Sequence, residues 1–137
     1  MAVVLDSAAV VAFLDQDDAL HGAADAAIRR LIAEHRFYVS TVTFAEVLTG
    51  AKLHHHDEEV VRGFFDDLIA EILPVETATA EQAARFRAAH KALRMPDALI
   101  LATADGHPDV EVVLTGDAGL KSVRGLGCKV RLLRAQV

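Results

Sequence analysis

The sequence has a single cysteine, Cys128, no tryptophan, three prolines and only 5% aromatic residues in a chain of 137. One cysteine rules out an internal disulfide framework and a cysteine-based zinc site. It fits a reducing compartment, so the cytoplasm is the expected location. No Pro/Gly/Ser-rich stretch offers a linker, and residues 1–137 are read as one domain. No apolar run approaches the roughly 20 residues of a membrane helix. Residues 1–5 are apolar, but Asp6 follows at once and no basic stretch precedes them. A signal peptide is therefore not expected.

What is present reads as a folded domain. Hydrophobic residues make up 53% and charged residues 25% of the chain, which is not the balance of a disordered one. The formal net charge of −6 argues against coating nucleic acid by bulk attraction. It leaves room for local work on nucleic acid. The charge is also uneven. Residues 1–117 carry all 20 acids and a net of −11, whereas residues 118–137 carry Lys121, Arg124, Lys129, Arg131 and Arg134 with no acid. That tail is either a solvated edge or a patch for an anionic partner. A second basic group, Arg85, Arg87, Lys91 and Arg94, is a candidate RNA-binding face. Arg87, Lys91 and Arg94 share one side if the stretch is helical.

The hydrophobic pattern alternates strands with helices. Short apolar runs at 2–5, 37–40, 73–75, 110–115 and 129–133 read as strands, the third an edge strand because of Pro74. Helical patterns cover 7–14, 18–35, 43–53, 57–72, 79–94, 96–104 and 118–123. Thr79 with Gln82, and Thr43 with Glu46, match capping boxes. The expected class is α/β, with a mostly parallel sheet flanked by helices.

Four acids stand out by position. Asp6 directly follows the strand VVL, and Asp117 lies two residues past the strand ending at Thr115. Glu46 and Asp97 fall in the first turns of helices. Sites in parallel sheets form outside the carboxyl ends of strands, so all four map to one sheet edge. Each alone is explained as a helix cap or a dipole partner. Together they repel, and a divalent cation relieves that repulsion. All-oxygen ligation suits Mg²⁺ or Mn²⁺. Such ions neutralise charge on phosphate oxygens and activate water, which points to phosphodiester hydrolysis. Ser7 and Thr115 add hydroxyls beside the acids, able to orient water or a carboxylate.

Four segments, VVLDSAAVVAFL, STVTFAEVLTGA, RMPDALILATA and VVLTGDAGL, occur in an order and spacing that span nearly the whole chain. With them the chain resembles the PIN-domain ribonucleases, and most closely the VapC-type toxins of bacterial toxin–antitoxin pairs. The resemblance implies one PIN-like domain with a central five-stranded parallel sheet. It implies a Mg²⁺- or Mn²⁺-dependent endoribonuclease whose acid quartet is Asp6, Glu46, Asp97 and Asp117, with Asp6 and Asp97 as metal ligands. It further implies a homodimer and a VapB-like antitoxin that blocks the acids with an Arg or similar group. Some of the apolar surface on the helices at 7–14, 18–35 and 57–72 would serve those partners. Two positions depart from the family pattern: Ala8 replaces a frequent hydroxyl residue, and Gly116 replaces a common Asn or Arg. Two other functions compete with this reading. A receiver-type phospho-acceptor domain wants an acidic pair after its first strand, where this chain has Asp6 alone. A catalytically silent PIN-like binding module is disfavoured by the intact quartet.

Other residues suggest less. His54, His55 and His56 fall between helices and read as an exposed loop, with adventitious nickel or zinc binding as the other possibility. Asp15, Asp17 and Asp18 read as the opening of the second helix, with a second metal site as the other possibility. Gly125 and Gly127 read as a turn, and Cys128 as a small buried residue.

Overall fold

The computed structural model describes residues 1–135. Five strands form one all-parallel sheet in the order β3-β2-β1-β4-β5. They are β1 (Ala2–Leu5), β2 (Arg36–Ser40), β3 (Ile69–Leu73), β4 (Val110–Thr115) and β5 (Lys129–Leu132). The helices are α1 (Ser7–Leu14), α2 (His21–Leu31), α3 (Thr41–Lys52), α4 (Glu58–Leu68), α5 (Thr77–Ala89), α6 (Met95–Asp105) and α7 (Ala118–Lys121). None of them is long and apolar enough to cross a membrane.

Alternation along the central strand builds two cores. Val3 and Leu5 of β1 point into one, with Phe37, Val39 and side chains of α1 to α4. Ala2 and Val4 point into the other, with Tyr38, Val113 and side chains of α5 and α6. Burial on both faces is why β1 is apolar at every position. The edges are handled differently. Lys129 and Arg131 are exposed on β5, an outer strand, and charged edges discourage pairing with another chain. Part of the basic tail is thereby given a structural role.

Three helices end differently from the sequence pattern. The apolar period of 57–72 runs on through Ile69 and Ile72, but residues 69–73 pair with β2 instead, so strand replaces the last helical turn. The helix expected over 79–94 starts at Thr77 and stops at Ala89, where His90 turns to φ −133° and ψ 84°. Its expected capping box is absent. Glu76 is the N-cap and makes no side-chain cap bond, while Gln82 reaches Asp105 and Arg85 instead. The helix expected over 18–35 is shortened to His21–Leu31, preceded by turns in which Asp15 and Asp18 accept from the backbone of Asp17 and Leu20.

Candidate active site

The strand order reverses between β1 and β4, so their connections leave in opposite directions. A crevice opens there outside the carboxyl ends of the strands. The residues that follow β1 and end β4 meet in it.

Asp6 is only 2% exposed. Its Oδ1 accepts from the Ala9 backbone N–H at 2.8 Å, which caps α1. Its Oδ2 accepts from the Thr115 hydroxyl. The Thr115 Oγ1 in turn accepts from the Asp117 backbone N–H at 2.9 Å. Asp117 then caps α7 through Oδ1, which accepts from Gly119 N–H at 2.8 Å. A single hydroxyl therefore links two of the acids.

The capping explanation fails for Glu46. Ser40 caps α3, accepting from Val42 N–H at 3.0 Å. Glu46 instead accepts from the Ser7 hydroxyl at 2.6 Å, and that hydroxyl sits 3.3 Å from Thr43 Oγ1. Ser7 follows Asp6 in the chain, so α1 aims one acid and steadies another. Asp97 stands in the first turn of α6, behind Pro96. Its side chain is 13% exposed, and it accepts from Arg94 Nε at 3.3 Å.

The acids feel one another. Burial pushes the Asp6 carboxyl up to about 6, against the pull of its two hydrogen bonds, and the charges of Asp97 and Asp117 push the same way. Burial also raises the Asp97 carboxyl; Arg94 opposes the rise, and Asp117 and Glu46 add to it. All four sequence-derived acids are thus brought to one edge and coupled through space. Among the described residues, no three His, Cys, Asp or Glu side chains form a ready-made metal cage. The donor chemistry still fits a hard divalent ion. Mg²⁺ keeps several waters and needs only one or two carboxylates, and a cation would offset both the burial and the added repulsion that raise Asp6 and Asp97.

A PIN domain family model matches residues 3–126. The chain belongs to the PIN-domain family. Solved structures similar to it include toxins and toxin–antitoxin complexes. One is a DNA-bound VapBC2 complex of Rickettsia felis, at 13% identity and TM-score 0.76, covering 98% of this chain and 100% of that one. Another is a toxin–antitoxin complex of Klebsiella pneumoniae, at 24% identity and TM-score 0.75, with the same coverage. A third is VapC20 of Mycobacterium tuberculosis, a sarcin–ricin loop cleaving toxin, at 18% identity and TM-score 0.67, covering 87% of this chain and 92% of that one. No curated protein sequence matches the chain.

The two departures from the PIN pattern touch each other. A Cβ on Gly116 would lie 3.0 Å from Leu20 Cδ1 and 3.2 Å from the Ala8 Cβ. A side chain at 116 needs space that α1 and Leu20 already fill.

The basic group of this PIN domain needs correction. Because α5 ends at Ala89, Arg87, Lys91 and Arg94 do not share a helix face. Arg87 is half-buried and donates to the Leu93 carbonyl at 2.7 Å, holding the turn that follows the helix. Arg85 is tied to Gln82 and Glu81. Lys91 and Arg94 are exposed and line, with Asp97 and Asp117, a pocket of about 390 Å³ beside the acids. That pocket is formed by segments some thirty residues apart in sequence, and no local motif announced it. The three histidines lie in a loop with His54 at φ 63°; His56 packs against Gly50, and they form no three-donor cluster. Gly125 turns at φ +83° as expected, and Cys128 is half-buried.

Proposed function

We propose that this protein is a Mg²⁺- or Mn²⁺-dependent endoribonuclease and the toxin of a toxin–antitoxin pair. The observation that carries this reading is the convergence of Asp6, Glu46, Asp97 and Asp117 on the crevice between β1 and β4, with the Asp6 and Asp97 carboxyls raised by burial and mutual repulsion. Membership of the PIN-domain family and similarity to a toxin that cleaves the sarcin–ricin loop support it.

Asp6 and Asp97 would hold the ion, with Glu46 and Asp117 acting directly or through water. A bound divalent ion supplies charge neutralisation at a phosphate and a lowered pKa for water. The chain's own residues prepare the place. Thr115 keeps Asp6 oriented, and its bond to the Asp117 backbone fixes the turn that presents the fourth acid. Ser7 fixes Glu46. Arg94 neutralises part of the Asp97 charge until substrate or metal enters.

The partner in this reading is a VapB-like antitoxin whose cationic side chain pairs with the acids. A second copy of the chain is the other partner. Phe44, Ala45, Leu48 and Leu53 form an open apolar strip along α3 for such contacts. Expression in a bacterial host tests the toxin reading. Growth arrest that is relieved by Asp97→Ala supports it, and unrestricted growth with abundant folded protein contradicts it. Sequencing RNA ends after brief expression identifies the target.

A further inference from the structure

The pocket beside the acids has walls of two kinds. Leu93, Leu120 and Val123, all buried residues of the second core, give it an apolar side. Exposed Lys91 and Arg94 stand on it, and Asp97 and Asp117 belong to its lining and to the acid centre at once. One wall is fixed by His90. Its Nδ1 lies 3.1 Å from the Phe86 carbonyl, and its Nε2 accepts from the Arg124 backbone N–H at 3.3 Å. Only an imidazole carrying its proton on Nδ1 satisfies both bonds. The ring therefore cross-links the end of α5 to the segment after α7, joining the two stretches of chain that line the pocket.

We propose that this pocket binds one unpaired nucleotide of the RNA adjoining the scissile phosphate, with the base against the apolar wall edged by Leu93 and Val123 and the phosphate side toward Lys91 and Arg94. This rests on the ribonuclease reading. Three arguments favour that occupant. A volume near 390 Å³ is on the scale of a site for one small ligand, not for a duplex. Proteins read RNA sequence mainly on unpaired bases taken out of the stack. A net charge of −6 gives the chain little bulk attraction for RNA, so local contacts carry more of the affinity.

The test is an NMR titration of the labelled full chain in EDTA, where no metal-dependent cleavage runs. The probes are AMP, GMP, CMP and UMP, with inorganic phosphate and an acetyl-Arg-Leu dipeptide as controls. At least one nucleotide is expected to shift the amides of Leu93, Gly119, Leu120 and Val123 saturably, and at least tenfold more tightly than phosphate. Ser122→Trp, at an exposed position on the rim, is expected to weaken that binding at least tenfold and to flatten base preference around the cut. Lys91→Glu is the second variant and is expected to weaken it about fivefold. Circular dichroism checks that both variants fold. Saturation by the dipeptide but by no nucleotide overturns the proposal in favour of a peptide seat. RNA cleavage with no nucleotide shift at these amides, and with base preference intact in Ser122→Trp, also overturns it while the ribonuclease reading stands. Nucleotide binding without any RNA cleavage keeps the pocket and removes that reading.

Discussion

The hydroxyl of Thr115 donates to the carboxylate of Asp6 across 109 positions of sequence. This bond joins the ends of β1 and β4 where the sheet reverses its order, and the same oxygen receives the Asp117 backbone N–H. Thr115→Val keeps the shape and removes both links. Leaving buried polar groups unpaired costs roughly 1–3 kcal/mol. Losing the hydroxyl also removes a contact that favours the Asp6 carboxylate, so its carboxyl rises further. Denaturant unfolding should show the stability loss, and a metal titration should show a higher Mn²⁺ requirement. Thr115→Ser should restore most of both.

Asp6 predicts an unusual stability profile. Its carboxyl is raised from 3.8 to about 6 in the folded chain. Between those values the folded state holds more proton than the unfolded state, so stability falls as pH rises through the window. Above about pH 6 the full cost is present, and a shift of this size corresponds to about 3 kcal/mol. Asp6→Asn retains a cap for α1 and removes the charge. It should therefore stabilise the protein at pH 7, and the gain should vanish by pH 4. Mn²⁺ should raise the Tm of the unaltered protein at pH 7 and do so far less in Asp6→Asn.

Ser7 and Glu46 make a narrower case. Ser7→Ala removes the hydroxyl that holds Glu46 at 2.6 Å. The residue is only half-buried and caps nothing, so stability should change by less than about 1 kcal/mol. Cleavage should fall several-fold. Steady-state kinetics beside a melting curve separates the two effects.

Much of this site was legible in the sequence, for a physical reason. Strands buried on both faces are short apolar runs, and a carboxylate placed just after such a run, as Asp6 is after VVL, stands at the carboxyl edge of the sheet where sites form. The hydroxyls of Ser7 and Thr115 were visible for the same reason of adjacency. What escaped notice depends on distant pairing. The Ile69–Leu73 segment carries a helical period, and only its partner β2 makes it a strand. Glu46 matched a capping box until Ser40 took the cap and Ser7 took the carboxylate. The pocket draws on residues 90–97 and 117–123, which nothing local connects.

Arg87 and Lys91 illustrate the same limit and give a further prediction. A shared helix face suggested equal roles, but Arg87 is spent on the Leu93 carbonyl. Arg87→Ala should destabilise the fold by roughly 1.5–3 kcal/mol, the range for a hydrogen bond to a charged group. Lys91→Glu should leave stability nearly unchanged, weaken RNA binding and lower the salt slope by about one. Filter binding at several salt concentrations, with unfolding curves for both variants, checks the division of labour.

The most direct test is cleavage itself. The purified protein, freed of any partner, is incubated with structured RNA and Mg²⁺ or Mn²⁺, beside Asp6→Ala and Asp97→Ala variants shown to be folded. The prediction is endonucleolytic cleavage that stops with EDTA and falls at least about a hundredfold in both variants, the scale of losing one preorganised electrostatic group at a reacting centre. Cleavage that continues in EDTA, or that is unchanged in both variants, would contradict the assignment of these acids as the metal-dependent centre.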